Sequence, residues 1–293
     1  FFSFLHVCFS DTDVVFVVNS ANGPFGILTK LFRKKTCINV DGLEWLRPKW
    51  KGLGSLYFKV ASKLATIFFD EIITDSDEMN KIYIDKFGRD SSVIAYGSTM
   101  CKYSNTKFLT KLNLIKNQYY LIVGRLIPDN NSKLIIEAFL KIKSDKKLVI
   151  VGDVPYNDSY SSSIKKIKSK RLILTGYVRC QIELSQLYDN CFAYIHGHEY
   201  GGTNPTMINA LALNSKIISI KTKFTLEMLQ NKEVIYFEKN NKSISKSFKI
   251  FEKNYDKLKR LNKDYKIPLN YKWFYISNKY ENLFYKLLFD KIT

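Results

Sequence analysis

The stretch of sequence from Ala193 to Asn214, AYIHGHEYGGTNPTMINALALN, decides how the fold of this chain is interpreted. An apolar run that ends at Ile195 gives way to a polar loop with two adjacent glycines, and a helical pattern follows Pro205. A strand, a loop and a helix N-terminus in this order present backbone N–H groups and the positive end of a helix dipole. The segment therefore predicts a strand–loop–helix unit whose loop can face an anionic group such as a phosphate.

The loop carries the residue types that such a site needs. Gly201 and Gly202 lack a Cβ atom, so they can adopt positive φ and let a ligand approach the backbone. Asn204 is a suitable N-cap, and the proline after it suits the first helical position. His198 and Glu199 lie at the carboxyl end of the strand, where open α/β sheets bind ligands. A short glycine motif is also typical of an ordinary strand-to-helix turn, but the crowding of polar side chains favours a binding site.

On both sides of this stretch, predicted strands and helices alternate along the chain. The apolar runs predict strands at Asp13–Val18, Thr36–Val40, Glu71–Thr74, Ser92–Ala95, Tyr119–Val123, Lys147–Val151, Arg171–Thr175, Phe192–Ile195, Lys216–Ile220 and Val234–Phe237. Between them, helical patterns predict helices at Leu53–Phe69, Asp75–Phe87, Ser132–Ile142, Ser159–Ile167, Ile182–Tyr188, Pro205–Leu213, Thr225–Asn231 and Ser243–Leu261. Alternation of this kind is typical of α/β folds with parallel sheets, so we expect two doubly wound sheets.

The length and composition of the chain limit the classes of protein to which it can belong. A chain of 293 residues exceeds the usual size of one domain, so two domains are expected. With 46% hydrophobic residues it can bury substantial cores, and no apolar run approaches the ~20 residues of a spanning helix. The five cysteines are scattered without a C-x-x-C spacing, which predicts buried reduced thiols and no metal site.

The net charge of +19 is concentrated in the later part of the chain. Residues 1–110 hold 14 basic and 11 acidic side chains, whereas residues 111–293 hold 32 and 16. Nucleic-acid binding is one interpretation of such charge, and an anionic membrane surface is another. The lysines are spread over helical faces without a nucleic-acid motif, so we expect no nucleic-acid partner. The simplest interpretation of the charge is a solvated surface that binds no partner.

Two further strand ends carry polar side chains. Asp41 and Glu44 follow the second predicted strand within an aromatic and basic loop, which suits sugar hydroxyls but is equally consistent with packing. Arg125 follows the strand Tyr119–Val123. Its guanidinium could bind a diphosphate together with the loop at Gly201 and Gly202, although a surface arginine is the simpler interpretation of this residue taken alone.

Four segments of the sequence resemble one family of enzymes. They are NVDGLEW at residues 39–45, VGRLIPDNN at 123–131, HGHEYGGTNP at 196–205 and the C-terminal YKW…YENLF at 271–284. Together they resemble the bacterial family 4 glycosyltransferases, in particular the rhamnosyltransferase-like branch that builds capsule, O-antigen and exopolysaccharide. The resemblance implies the GT-B fold, with two Rossmann-like domains and a nucleotide sugar held mainly by the second.

The resemblance also implies roles for individual residues and a reaction. The residues that bind the donor would be Arg125, Asn131, Gly201, Gly202, Thr203, Asn204 and Asn209. The residues placed at the reacting groups or on the acceptor side would be Glu199, His198, Asp41 and Glu44. The reaction would transfer rhamnose or a similar deoxysugar from a dTDP- or UDP-linked donor to a lipid-linked glycan. It would retain the anomeric configuration of the sugar and would need neither a metal ion nor a cofactor. The resemblance implies a cytoplasmic enzyme, for which peripheral contact with the inner membrane face is a further expectation.

The sequence departs from this family in two respects. Asn209 stands where the branch usually has Glu, a residue expected to hold the ribose hydroxyls. The chain also begins later than its relatives, which predicts a partial acceptor-side domain over residues 1–108. The donor domain would span residues 109–265, and the C-terminal helix at residues 266–293 would return to the first domain. A catalytically inactive sugar-nucleotide-binding fragment is therefore an alternative to an active enzyme.

Overall fold

A computed structural model describes residues 1–156 and 158–289. By its internal contacts the chain divides into two compact units. The first unit contains Phe1–Gly97, the loop Tyr200–Thr203 and the C-terminal segment that begins at Leu269. The second contains Ser98–Glu199 and Asn204–Pro268. Each unit is built around its own parallel sheet.

The first unit has a four-stranded sheet whose spatial order follows the chain, β1-β2-β3-β4. All its neighbouring strands pair in parallel. The strands are β1 Val14–Val18, β2 Lys35–Asn39, β3 Glu71–Thr74 and β4 Ser92–Val93. The helices that accompany them are α1 Phe2–Cys8, α2 Gly26–Leu31, α3 Leu53–Phe68 and α4 Asp77–Phe87. The Ser76 hydroxyl caps α4 by accepting from the Met79 amide at 3.2 Å, as its sequence predicts.

The second unit has a six-stranded parallel sheet with a reversal in its strand order. Its strands are β5 Tyr119–Val123, β6 Lys147–Val151, β7 Leu172–Gly176, β8 Ala193–His196, β9 Ile217–Ile220 and β10 Ile235–Phe237. The spatial order is β10-β9-β8-β5-β6-β7. The chain thus runs outward from β5 to β7 and then returns to place β8 on the other side of β5. The carboxyl ends of β5 and β8 form a crevice at this point, where α/β sheets bind ligands.

Eight helices of the second unit connect or follow these strands in the described part of the chain. They are α5 Lys107–Lys111, α6 Ser132–Lys141, α7 Ser159–Lys165, α8 Gln181–Asn190, α9 Pro205–Ala212, α10 Lys223–Met228, α11 Asn241–Lys253 and α12 Tyr255–Leu261. The core between helices and sheet is rich in aromatic rings. The buried Tyr120 ring lies 4.8 Å from that of Phe248 and 5.5 Å from that of Phe192, and its hydroxyl donates to Glu252 at 2.8 Å.

The C-terminal helix α13, Trp273–Phe289, belongs to the first unit. Its side chains Ile276, Leu283 and Leu287 are buried in one hydrophobic cluster with Cys37 and Ile73 of the sheet. The three helix residues recur at steps of four and seven, so they share one face. Among the described residues, no helix is both long and apolar enough to cross a membrane.

The structure confirms the ten predicted strands to within two residues at each end and corrects two predictions about helices. The helix predicted over Ser243–Leu261 is two helices, interrupted at Asn254. The Asn254 side chain donates to the Ile250 carbonyl at 2.8 Å, and such local bonds compete with helix continuation. The helix predicted over Thr225–Asn231 begins earlier, because Thr222 caps it. The short helices α1 and α5 were not predicted, since neither has a repeated apolar period.

A buried ion pair organises the loop after β2. Glu44 and Arg47 are 6% and 8% exposed, and Glu44 Oε1 lies 3.0 Å from Arg47 Nε. The indole N–H of Trp50 donates to Glu44 Oε2 at 2.9 Å. Both carboxylate oxygens of Glu44 therefore have partners inside the first unit, while the role of the loop in binding an acceptor stays a prediction.

Because an unpaired buried charge is costly, Arg47→Met should lower the free energy of unfolding of the first unit by about 3–5 kcal/mol. The double variant Glu44→Gln/Arg47→Met should recover most of this loss. Denaturant unfolding followed by tryptophan fluorescence measures the effect, since all three tryptophans, Trp45, Trp50 and Trp273, lie in this unit. Equal losses in the single and double variants would show that the pair is not what stabilises the loop.

Gly152 allows β5 and β6 to end close together. It has φ +129°, and a Cβ atom at this position would lie 2.0 Å from the Gly124 carbonyl oxygen. We expect Gly152→Ala to destabilise the second unit by about 3 kcal/mol or more, because backbone must move to relieve the clash. The matched control is Gly176→Ala, where φ is +67° but no atom lies within 4 Å, so it should lose only about 1–2 kcal/mol. Thermal unfolding monitored by circular dichroism compares the two, and equal losses would contradict the steric account.

Candidate functional site

A cavity of about 400 Å³ opens at the carboxyl ends of β5, β6 and β8 in the second unit. It lies at the reversal of strand order. The strand-end residues Gly124, Gly152 and Gly197 border it on three sides. A Cβ on Gly197 would lie 2.4 Å from the Asn130 carbonyl oxygen, so the absence of side chains keeps the strand ends close and the cavity open.

Arg125 lines this cavity, as its position after β5 predicts. Its backbone carbonyl accepts from the Asn130 side chain at 2.7 Å, which closes the turn that follows the strand. The Asn130 Oδ1 in turn lies 2.7 Å from His198 Nδ1. The turn after β5 and the loop after β8 are thus joined through one asparagine, and His198 lines the same cavity.

Asn131 makes a second link between these loops. It is 4% exposed, and its side-chain amide donates to the Gly197 carbonyl at 2.8 Å and to Glu199 Oε1 at 2.5 Å. Glu199 Oε1 also pairs with Lys239 Nζ at 2.5 Å. The predicted site residues Asn131, His198 and Glu199 therefore do come together, with Asn131 holding the loop and Glu199 paired to a lysine that the sequence analysis missed.

A chain of hydrogen bonds connects the strand β8 to the N-terminus of α9 along the cavity wall. The Tyr194 hydroxyl lies 3.0 Å from His196 Nδ1 and 2.8 Å from Thr206 Oγ1. Asn204 Oδ1 accepts from both the Thr206 amide and its hydroxyl, at 3.0 and 2.7 Å. Burial, and secondarily His198, lowers the pKa of His196 to about 3, so this ring is neutral at physiological pH.

The N-terminus of α9 has the structure that the sequence predicts. Asn204 is its N-cap and Pro205 is its first residue. Both line the cavity together with Thr206, so the positive end of the helix dipole faces the space beside Arg125. Asn209 lies further along the helix, where its Oδ1 accepts from the Ser98 hydroxyl at 2.7 Å.

The loop residues Gly201, Gly202 and Thr203 are described with the first unit. Gly201 has φ +122°, as expected for a glycine in such a turn. A Cβ on Gly202 would lie 1.8 Å from Asp75 Oδ1, and the Thr203 amide donates to Asp75 Oδ2 at 2.9 Å. The glycine is thus needed for the close approach of a carboxylate. Joint binding of one diphosphate by Arg125 and this loop stays a prediction.

The remaining predicted residues belong to the first unit. Asp41 is half-buried at the end of β2, and Glu44 is held by Arg47 and Trp50 as described above. All five cysteines are free thiols, but Cys101 and Cys180 are exposed, so the expectation of burial was wrong for these two. Within residues 1–156 and 158–289, no cluster of three or more His, Cys, Asp or Glu has the arrangement of a metal site.

Sequence reasoning missed several cavity residues. Tyr177 and Val178, which follow β7, and Leu184 of α8 also line the cavity. Tyr177 donates its hydroxyl hydrogen to the Asp153 carbonyl at 2.7 Å. The strand-end rule that identified Arg125 applies equally to the residues after β6 and β7, so it could have identified Gly152 and Tyr177.

The sequence matches known families over most of its length. Residues 106–266, more than half of the chain, match the family described as Glycosyl transferases group 1. Residues 10–99 match a domain of unknown function, DUF1972. One relative is the N-acetylgalactosamine-N,N'-diacetylbacillosaminyl-diphospho-undecaprenol 4-alpha-N-acetylgalactosaminyltransferase of Campylobacter jejuni, which is 26% identical over 105 residues. That match spans 36% of this chain and 28% of the relative's own length.

Solved structures are similar over nearly the whole chain. Alr3699/HepE of Anabaena in complex with UDP and glucose has a TM-score of 0.81 at 14% identity, covering 96% of this chain and 79% of that protein. Sucrose-phosphate synthase of Thermosynechococcus elongatus has a TM-score of 0.79 at 14% identity, covering 98% and 76%. A glycosyltransferase of Rickettsia africae has a TM-score of 0.75 at 14% identity, covering 99% and 80%.

At these identities the likeness concerns the fold alone. The predicted α/β class with two Rossmann-like parallel sheets is confirmed by the two sheets of this chain and by these structural neighbours. The family match covers the unit that contains the cavity. The chain therefore belongs to the group 1 family of glycosyl transferases and has the GT-B fold.

Proposed function

We propose that this protein is a glycosyltransferase whose second unit binds a nucleoside diphosphate sugar in the cavity at the carboxyl ends of β5, β6 and β8. The observation that carries the proposal is the meeting of three features at one sheet edge. These are the guanidinium of Arg125, the N-terminus of α9 capped by Asn204, and a cavity of about 400 Å³. A volume of this size is typical of small-molecule sites.

The chemistry of the cavity suits a diphosphate. A guanidinium binds phosphate oxygens bidentately and stays charged at any physiological pH. The positive end of the α9 dipole adds a further partial positive charge. The apolar side chains that line the same cavity, such as Ile122 and Val178, offer a surface for the base and ribose.

The names of related proteins support the choice of donor and acceptor. Anabaena Alr3699/HepE was solved in complexes with UDP and glucose and with UDP-glucose. The Campylobacter jejuni relative is named for an acceptor that carries diphospho-undecaprenol. For this chain we infer a UDP- or dTDP-linked donor and a lipid-linked glycan acceptor. By its sequence resemblance, the sugar is rhamnose or a similar deoxysugar and the product a surface polysaccharide.

The proposed reaction depends on stabilising the leaving group. As the bond between the anomeric carbon and the diphosphate oxygen breaks, the sugar gains oxocarbenium character and the departing nucleoside diphosphate gains negative charge, while the acceptor hydroxyl loses its proton and forms the new glycosidic bond. The capped N-terminus of α9 is fixed before the reaction begins, so its dipole stabilises that charge without reorganisation, and the Arg125 guanidinium adds a full positive charge. We propose that transfer is metal-independent and retains anomeric configuration.

The loop after β8 would position the sugar. Glu199 is anchored by Asn131 at 2.5 Å and by Lys239 at 2.5 Å, so its carboxylate has a defined place to accept hydrogen bonds from sugar hydroxyls. His198 is oriented by Asn130 and lines the cavity beside Arg125. We assign Asp41 to the acceptor. Glu44, whose oxygens are engaged by Arg47 and Trp50, would shape the acceptor loop. An enzyme that uses a lipid-linked acceptor would work in the cytoplasm at the inner membrane face.

An inactive sugar-nucleotide-binding protein is the second candidate, and the environment of Asn209 favours it. Asn209 stands where the rhamnosyltransferase-like branch usually has Glu, and its Oδ1 already accepts from Ser98. An amide offers the ribose hydroxyls a weaker partner than a carboxylate does, because charge-assisted hydrogen bonds are roughly twice as strong. This candidate would bind the donor without turnover.

Arg125→Ala should weaken UDP binding about tenfold or more, because it removes a charge-assisted bidentate contact. Isothermal titration calorimetry measures the affinity. Arg260→Ala is the matched control, since Arg260 is an exposed arginine of α12 outside the cavity lining, and it should bind UDP as the unmodified chain does. Unchanged affinity in Arg125→Ala would remove this residue from the donor site.

If Asn209 holds the ribose, Asn209→Glu should tighten UDP binding several-fold and Asn209→Ala should weaken it. The effect should vanish with a 2′,3′-dideoxy nucleoside diphosphate, which lacks the hydroxyls in question. The unmodified chain and the Asn209→Glu variant should also be compared for sugar transfer. If both bind the donor and only the variant transfers sugar, the unmodified chain is the inactive binder. Equal affinities of all three proteins for UDP would show that residue 209 does not contact the ribose.

A further inference from the structure

A second cavity lies at the opposite edge of the same six-stranded sheet. It has a volume of about 370 Å³. Asn117 precedes β5, Cys191 precedes β8 and Lys216 precedes β9, and all three line it. It is therefore at the amino ends of the strands, and we call it the amino-end pocket. The run of extended chain from Asn117 to Gly124 separates it from the proposed donor cavity by roughly 20 Å.

The amino-end pocket is strongly basic. Five ammonium groups line it, against the single carboxylate of Asp189, and they belong to Lys102, Lys116, Lys216, Lys259 and Lys263. The carboxylate balances only one of them, since Asp189 Oδ1 lies 3.5 Å from Lys102 Nζ, and the pocket lining contains no carboxylate for the other four. These lysines come from four separate parts of the chain, so the fold gathers them at one place.

The walls of the amino-end pocket are held by hydrogen bonds independent of the lysines. The Asn214 side chain donates to the Asn262 carbonyl at 2.9 Å. The Asn262 side chain accepts from the Glu233 amide at 3.0 Å and donates to the Glu233 carbonyl at 2.8 Å. Ser215 donates its hydroxyl hydrogen to the Tyr188 carbonyl at 2.9 Å. The pocket is thus a built cavity with polar walls, and exposed lysines at its rim could converge on a ligand.

The lysines that line the amino-end pocket give it a strong positive charge. Burial lowers the pKa of Lys216, Cys191 and Asp189 partly offset this effect, and Lys102 contributes a smaller lowering. Lys232 is also buried, with 7% of its surface exposed. Its burial, and to a lesser extent the charge of Lys216, lower the pKa of Lys232 to about 7. The Lys232 ammonium donates to Asn214, a residue of the pocket wall. An anion in the pocket would offset this repulsion, since like charges at short range disfavour their charged forms.

We propose that the amino-end pocket binds a phosphate-bearing anion and is a second ligand site, distinct from the donor cavity. Phosphate is the anion that clustered lysines suit best, because each compact ammonium supplies up to three hydrogen bonds to its oxygens. The volume admits a diphosphate or a phosphorylated small molecule. The inference does not depend on the proposed transfer reaction, because it uses none of the residues assigned to the donor.

Two sources could supply the same phosphate chemistry. One is a soluble phosphorylated metabolite, which would make the pocket a regulatory site. The other is the headgroup of an anionic lipid. Two apolar side chains beside the pocket lysines are exposed. Ile115, next to Lys116 in the sequence, is 71% exposed, and Leu261, between Lys259 and Lys263, is 55% exposed. Apolar side chains beside a basic pocket suit a membrane surface.

The test compares two pairs of exposed lysines. Lys259→Met/Lys263→Met removes two ammonium groups from the pocket rim. Lys246→Met/Lys249→Met removes two exposed ammonium groups from α11, outside the pocket lining, and so controls for net charge. Calorimetry with inorganic pyrophosphate measures the soluble source, with both lysine pairs also compared in the Arg125→Ala background so that the donor cavity contributes little to the signal. Flotation with phosphatidylcholine vesicles, with and without phosphatidic acid, measures the lipid source.

We expect the pocket pair to weaken pyrophosphate binding about tenfold or more, or to abolish recruitment to phosphatidic acid vesicles, while the control pair retains both. Arg125→Ala should leave pyrophosphate binding by the amino-end pocket unchanged, which separates this site from the donor cavity. Equal losses in the two lysine pairs would reveal unspecific charge attraction and overturn the proposal. So would the absence of binding to both probes by the unmodified chain, whatever the outcome with UDP.

Discussion

The reversal of strand order between β5 and β8 is the constraint on which the second unit depends. Because β8 returns to pair with the side of β5 opposite β6, the turns after these strands diverge and leave a cavity between them. Three glycines at strand ends keep the backbones close, and the asparagines Asn130 and Asn131 join one turn to the other. The position of Arg125 and of the α9 N-terminus follows from this arrangement, and so does the proposed role of the unit.

The two edges of this sheet have different chemistry. The carboxyl edge combines one guanidinium, a helix N-terminus and apolar walls, which suits a nucleotide that must be bound, oriented and released. The amino edge gathers five lysines around polar walls, which suits a phosphate but offers little for a base. Part of the chain's net charge of +19 is thus concentrated at one place by the fold, although the lysines are dispersed in the sequence.

The elements of the fold were predictable from the sequence because buried parallel strands are short continuous apolar runs, and helix starts carry their own caps. Asn204, Pro205 and Ser76 all behave as their residue types predict. The break at Asn254 was not predictable from periodicity, because the apolar period continues through it. The partners of Glu199 and Glu44 could not be predicted either: Lys239 lies 40 residues from Glu199, and the pairing of Glu44 with Arg47 depends on the burial of both side chains. The amino-end pocket depends entirely on which residues the topology brings together.

The most direct test of the account is a crystal structure of the chain with UDP bound. The account predicts the diphosphate in the cavity at the carboxyl ends of β5, β6 and β8, with its oxygens within hydrogen-bond distance of the Arg125 guanidinium and beside the N-terminus of α9. UDP bound at the amino ends of the strands, or anywhere else with the carboxyl-end cavity empty, would contradict it.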